Sequence, residues 1–248
     1  MKKTQKRVQE KVRLLDENTP FAITEAFNQL RTNIMYTPND SEGCPVYGIT
    51  SAEMSVGKST ISANLAYSFA QLGKKVLIVD ADMRRPTQHK FFCDRKSSEG
   101  LSELLSDIRN DYTSLVCKPF DEMSLDVLCS GAIPPNPSAL MLSKKIGELI
   151  GEWKKDYDIV FIDLPPVGMV TDPLTISSYI NGYIMVVTMN KSDARAVNGA
   201  LEAIEQVGAK VIGVVANGIS SKGNGGKGTK YAYNYTYGYY YKQDTDDN

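Results

Sequence analysis

The chain of 248 residues is poor in the residue types that build metal centres and membrane spans. It has one histidine, His89, and four cysteines, Cys44, Cys93, Cys117 and Cys129, widely spaced and without a C-x-x-C pair. One imidazole and scattered thiols do not make a His-rich or Cys-rich zinc site, so the cysteines read as reduced, packed small hydrophobes. Long apolar runs are also missing. The longest, residues 183–189, falls far short of the roughly 20 residues a spanning helix needs, so the chain is not expected to anchor itself across a bilayer. The amino terminus, MKKTQKRVQEKVRLLD, is basic, but no apolar core follows and it does not read as a secretory signal. There is no excess of either charge: 28 Lys+Arg stand against 29 Asp+Glu. That balance excludes nucleic-acid binding driven by global charge.

What is present suits a packed α/β domain. At 42% hydrophobic the chain can bury a substantial core. Composition divides it into three zones: residues 1–44, polar and helix-prone; residues 45–220, where short apolar runs alternate with helical patterns; and residues 221–248, with no aliphatic side chain larger than alanine. In the middle zone strands are expected at 46–50, 75–80, 125–128, 159–163, 183–189 and 211–216. Helices are expected at 58–72, 101–106, 137–155, 172–180 and 193–207. The runs are Val/Ile-rich without strict alternation, as strands covered on both faces of a parallel sheet are. The expected fold is a doubly wound, mostly parallel α/β sandwich.

The strongest chemical signal is the stretch Ala52, Glu53, Met54, Ser55, Val56, Gly57, Lys58, Ser59 and Thr60, which follows an expected strand and opens an expected helix. In that context a G-x-x-x-x-G-K-[ST] pattern reads as a phosphate-binding loop. Its backbone N–H groups curl around phosphate oxygens, and the helix amino end adds partial positive charge. Residues 53–60 would hold the nucleotide, Lys58 would reach the β/γ-phosphates, and the Ser59 hydroxyl would ligate Mg2+. The first glycine of the pattern is replaced by Ala52. Two carboxylates, Asp80 and Asp82, end another expected strand; two apart in extended chain, both could face the phosphates. A third, Asp163, ends residues 158–163 in the Walker B manner, holding metal directly or through its waters. Asn217, at the end of the last strand, is read either as an adenine contact or as a turn asparagine.

Together the phosphate loop, the V-D-A-D-M-R-R-P segment, the strand running into Pro165-Pro166, the segment 130–138 and the tyrosine-rich tail resemble the bacterial tyrosine kinases of capsule and exopolysaccharide synthesis. Those kinases share the P-loop class of the MinD/ParA ATPases. The MinD/ParA relatives themselves carry a signature lysine where this chain has Glu53, and the iron–sulfur carrier branch would want a C-x-x-C. The resemblance implies Mg-ATP-dependent tyrosine phosphorylation and regulation of polysaccharide synthesis and export. In that scheme Lys58 neutralises phosphates, Ser59, Asp82 and Asp163 organise Mg2+, and Asp80 accepts the tyrosine proton, although sequence does not separate the roles of Asp80 and Asp82. It also implies a cytoplasmic enzyme held at the inner membrane face by a separate transmembrane activator of the polysaccharide co-polymerase type, and a cognate tyrosine phosphatase. Rival readings are a MinD/ParA-like switch ATPase and a nucleotide-binding assembly protein without kinase activity.

Seven of the 14 tyrosines fall within residues 231–241: Tyr231, Tyr233, Tyr235, Tyr237, Tyr239, Tyr240 and Tyr241. The preceding GNGGKG reads as a flexible tether, and residues 221–231 reach at most about 35 Å. These tyrosines are the expected phosphoacceptors, presented at high effective concentration to a neighbouring subunit. Residues 25–34 resemble the family's helical E-x-x-R-x-x-R oligomerisation motif, with Glu25 and Arg31 present but Asn28 in the middle position. A homo-oligomer, a ring or something smaller, is therefore expected with one charged contact missing.

Overall fold

The computed structural model describes residues 14–38, 43–93, 98–189 and 191–218. The tyrosines expected to be phosphoacceptors, the tail zone and the basic stretch at 1–13 lie outside the described residues. Chain order is α1 (Phe21–Met35), β1 (Val46–Ser51), α2 (Lys58–Ala70), β2 (Val76–Asp80), α3 (His89–Phe92), α4 (Leu101–Leu105), β3 (Val116–Cys117), β4 (Leu125–Leu128), α5 (Pro137–Met141), α6 (Lys145–Asp156), β5 (Ile159–Asp163), β6 (Gly182–Thr188), α7 (Ala194–Gln206) and β7 (Val211–Asn217). Two 3-10 turns, Tyr112–Ser114 and Asp172–Ile176, complete the set.

The strands form a single seven-stranded sheet in the order β3-β4-β2-β5-β1-β6-β7. Every pairing is parallel except β3–β4. The central strands alternate between two cores. Leu77, Val79, Val160 and Ile162 join α4, α5, α6 and α7 on one face. Ile78, Ile159 and Phe161 join α1, α2 and Phe92 of α3 on the other. Both faces are therefore covered, which is why these strands read as continuous apolar runs.

The order also places the chemistry. The strands β2, β5 and β1 are neighbours, so their carboxyl ends, each followed by one of the three motifs, lie side by side. Asp80 is the register partner of Asp163, and Ile49 of Asp163 on the other side. Ligands of open α/β sheets bind at that edge.

Two helices differ from the sequence expectation. The stretch 137–155 is two helices, because Ser138 is tied to Asp172 and Arg84 while α6 lies flat on the sheet through Ile146, Leu149, Ile150 and Trp153. The stretch 172–180 is only a 3-10 turn, started by Pro173 and the buried Asp172. The short α3 and β3 carry no apolar period long enough to announce them.

Candidate nucleotide and active site

The loop between β1 and α2 is shaped by two left-handed residues, Ser55 (φ 61°) and Gly57 (φ 87°). Gly57 caps the amino end of α2 without a side-chain hydrogen bond, and Lys58 is the first helical residue. The first turn of a helix leaves its N–H groups without intrahelical partners, so they are available to an anion. From beneath, the loop is held by β6 and β7: the Thr188 hydroxyl and the Asn217 amide both donate to the Val56 carbonyl, at 3.1 and 2.9 Å. A Cβ on Gly57 would lie 2.1 Å from Asn217 Nδ2. Gly168 leaves equally little room above Ala52, whose carbonyl would stand 2.4 Å from its Cβ. This close approach locks the Pro165-Pro166 loop onto the start of the phosphate loop, with Thr50 Oγ1 donating to the Pro165 carbonyl at 2.8 Å.

Above the loop opens a cleft of about 440 Å3, lined by Glu53, Met54, Ser55, Gly57, Lys58, Ser59 and Thr60 from the expected set, together with Asp82, Arg85, Pro86, Thr87, Lys90 and Pro166. Val56, Asp80, Asp163 and Asn217 are not part of its wall. Lys58 is 7% exposed, and its ammonium donates to Asp163 Oδ1 at 2.5 Å and to Ser59 Oγ at 3.3 Å. Its distance to Asp82 Oδ2 is 3.9 Å. One cation thus faces two carboxylates across the head of β5.

Asp163 is fully buried and saturated. Ser62 Oγ donates to Oδ1 at 3.2 Å, and Gln88 Nε2 donates to Oδ2 at 2.6 Å. Neither partner was expected. Ser62 had a signal, since it lies one helical turn beyond Lys58 on the same face. Gln88 had none: it reaches the site because the chain after Asp82 doubles back over β2.

That return corrects one expectation. Asp80 and Asp82 do not both face the phosphates; only Asp82 opens on the cleft. Asp80 is 0% exposed and its Oδ2 accepts the backbone N–H groups of Thr87 and Gln88, both at 2.8 Å. Among the described residues its Oδ1 has no hydrogen-bond partner, nor do Thr87 Oγ1 and Gln88 Oε1. Burial, with the Asp163 charge beside it, pushes the Asp80 carboxyl up to about 7. Burial also raises Asp82, against the pull of Lys58.

A pH prediction follows. Between its ordinary value of 3.8 and about 7, the folded protein holds a proton on Asp80 that the unfolded chain has released. Stability of the metal-free protein should therefore fall as pH rises through that window, because the native state binds the extra proton. Thermal melting in chelator from about pH 4 to about pH 8 should show this decline, and Asp80→Asn should flatten it. An equal slope in the variant would place the titration elsewhere.

The oxygens of Ser59, Asp82 and Asp163 are hard donors that suit Mg2+. Among the described residues no group of three or more His, Cys, Asp or Glu could hold a metal ion by itself. Glu53 lines the cleft, and its Oε2 accepts the Asp193 N–H at 3.2 Å. Arg84 is committed to Asp172 and Ser138, at 2.9 and 2.8 Å, and so braces the segment after β2 rather than reaching the cleft. On α1, Glu25 accepts from Asn28 at 2.7 Å, and Arg31 donates to the Ser68 carbonyl of α2 at 2.9 Å.

Comparison with known proteins gives a consistent assignment. The family model described as "ParA: NUBPL iron-transfer P-loop NTPase" matches residues 45–239. The tyrosine-protein kinase YwqD of Bacillus subtilis is 38% identical over 195 residues, covering 79% of this chain and 81% of that protein. Among solved structures, the chimerical protein CapA2B2 aligns with a TM-score of 0.74 at 40% identity, over 82% of this chain and 91% of that one. The kinase domain of the Escherichia coli tyrosine kinase ETK aligns at 0.75 and 28% identity, over 84% and 80%.

Proposed function

Because the chain belongs to the ParA-type P-loop NTPases and, within them, to the bacterial tyrosine-protein kinases, we propose that it transfers the γ-phosphoryl group of Mg-ATP to the tyrosines at 231–241, between subunits, and so regulates capsular or extracellular polysaccharide synthesis. The observation that carries the reading is the Lys58–Asp163–Asp82 constellation at the foot of a phosphate cradle. Phosphoryl transfer asks mainly for positioning and charge stabilisation, so these groups suffice.

In this reading the N–H groups of residues 57–60 and the Lys58 ammonium bind the phosphates, and Asn217 supports the loop from below on the nucleobase side. Lys58, now on Asp163, would turn to arriving phosphate, and Asp163 Oδ1, with Ser59 and Asp82, would then hold the metal. Mg2+, when bound, supplies charge neutralisation on the β/γ-phosphates. Asp80, near neutrality and with one oxygen unpaired, takes the tyrosine proton once the Thr87–Gln88 turn lifts from it. Asp82, already open to the cleft, orients the incoming hydroxyl. A proton acceptor with a pKa near the working pH is the efficient choice.

Among the described residues no helix is long and apolar enough to cross a membrane. A separate membrane activator then brings the enzyme to the inner face of the membrane, and the likeness to a chimera, which by nature joins parts of two proteins, supports a partner chain. Self-association through α1 is supported by Phe21, 77% exposed one turn before Glu25. The Asn28 substitution predicts a weaker assembly than a fully charged motif would give. A phosphatase specific for phosphotyrosine closes the cycle.

Phosphosite mapping after incubation of the full chain with Mg-ATP tests the assignment. Phosphate should appear on tyrosines within 231–241, and mixing an inactive chain with an active one should label the inactive chain's tail. The ParA likeness keeps one alternative in view, a switch ATPase. Sustained ATP hydrolysis with no phosphotyrosine would establish that alternative instead.

A further inference from the structure

Three of the four cysteines, remote in sequence, are gathered by the fold at one place that the kinase chemistry does not use. Cys93 ends α3 in extended backbone, Cys129 follows β4, and Cys117 lies in β3 opposite Val127. All three belong to the core on the α2 face. Cys93 Sγ stands 3.8 Å from Cys129 Sγ, and Cys117 Sγ lies 3.9 Å from the Phe92 carbonyl. None of the four thiols is cross-linked. Cys129 is 5% exposed whereas Cys93 is only partly buried, so the pair joins a more accessible thiol to a sheltered one. Cys44 is set apart in the opposite core, and burial pushes its thiol up to about 12.

We propose that Cys93 and Cys129 are a reversible oxidation site, and that bridging them slows the kinase. A disulfide needs its sulfurs about 2.05 Å apart, so closure asks the two side chains to approach by roughly 1.8 Å. The Cys129 backbone is fixed, since its carbonyl accepts the Leu101 N–H at 2.9 Å and Gly100 leaves no room behind it. The four-residue α3 is the element that gives. The oxidant is a peroxide. It oxidises the Cys93 thiolate to a sulfenic acid and is itself reduced to one water. The Cys129 thiol then attacks that sulfur and expels the second water, so two thiols and one peroxide yield one disulfide and two waters. A dithiol reverses the bond by exchange.

The consequence reaches the catalytic centre through a short path. α3 starts directly after Gln88, whose side chain holds Asp163 and whose N–H, with that of Thr87, covers Asp80. Pinning Cys93 to β4 fixes the far end of that segment and keeps the Thr87–Gln88 turn closed over Asp80. This regulatory step rests on the kinase reading above; the site itself does not.

The test treats the reduced full chain with one equivalent of hydrogen peroxide, quenches it, and maps peptides without reduction. A Cys93–Cys129 linked peptide, lighter by two hydrogens, is expected, together with a several-fold slower autophosphorylation that dithiothreitol restores. Cys93→Ser should abolish both effects, while Cys44→Ser and Cys117→Ser should keep them. Because the linkage is read by mass, it stands or falls even if no phosphotyrosine forms. Linkage through Cys117, linkage between chains, or no linkage overturns the site; the expected linkage with an unchanged rate overturns the regulation.

Discussion

Lys58→Met should reduce phosphate incorporation on residues 231–241 by at least roughly 10²–10³-fold, the loss typical when one fixed donor to a developing charge is removed. The geometry gives the reason. Lys58 is the cation nearest the phosphate cradle and the partner of Asp163 at 2.5 Å. Methionine keeps most of the stem and removes the ammonium, so the fold of α2 is preserved while the phosphates lose their counter-charge. The same change leaves Asp163 and Asp80 buried side by side without it. The variant should therefore melt lower than the parent at alkaline pH and approach it under acid conditions, where Asp80 takes up a proton. Radiolabel transfer and melting across pH check the two halves separately. Undiminished phosphotyrosine in the variant would remove Lys58 from the chemistry.

Gly57→Ala should be nearly as damaging although it adds one methyl group. The backbone there is left-handed, at φ 87°, which costs a residue with a Cβ about 1–2 kcal/mol. The new Cβ would also stand 2.1 Å from Asn217 Nδ2. Asn217 cannot simply withdraw, because its amide donates to Val56 and its carbonyl oxygen accepts from Gly218 at 2.8 Å. The loop must shift, and a misplacement of about 1 Å in a catalytic cradle costs on the order of 10²-fold in rate. Nucleotide affinity should fall in parallel, measured by titration with a fluorescent ADP. Adding Asn217→Ala relieves the steric clash but not the backbone strain, so recovery should be partial. Full recovery would show that φ does not matter.

How much of this could be read beforehand follows from what each residue depends on. The inner strands and the phosphate loop were legible because burial on both faces and a local G-K-S turn are properties of contiguous sequence, and the edge strand β7, though partly exposed, was legible from its Val/Ile run. Lys58, Ser59, Asp82 and Asp163 follow from those elements, since strand order alone brings their ends together. The screening of Asp80 was not legible. It depends on a turn seven residues later coming back over the strand, and nothing in Pro86-Thr87-Gln88 announces where it lands. Gln88 and Arg84 illustrate the same limit from two directions: one joins the site through Asp163, 75 positions away, and the other leaves it through Asp172, 88 positions away. The break between α5 and α6 was hidden because its cause, the Ser138–Asp172 contact, is tertiary.

The strand β7 ends beneath the nucleotide loop and grips it through Asn217, 14 positions before the first of the clustered tyrosines. A displacement of Asn217 is therefore felt at the Val56 carbonyl, and a filled cradle would stiffen the end of β7 in return. On the kinase reading proposed above, capture of a tyrosine-bearing segment and retention of nucleotide would then be mechanically linked within one subunit.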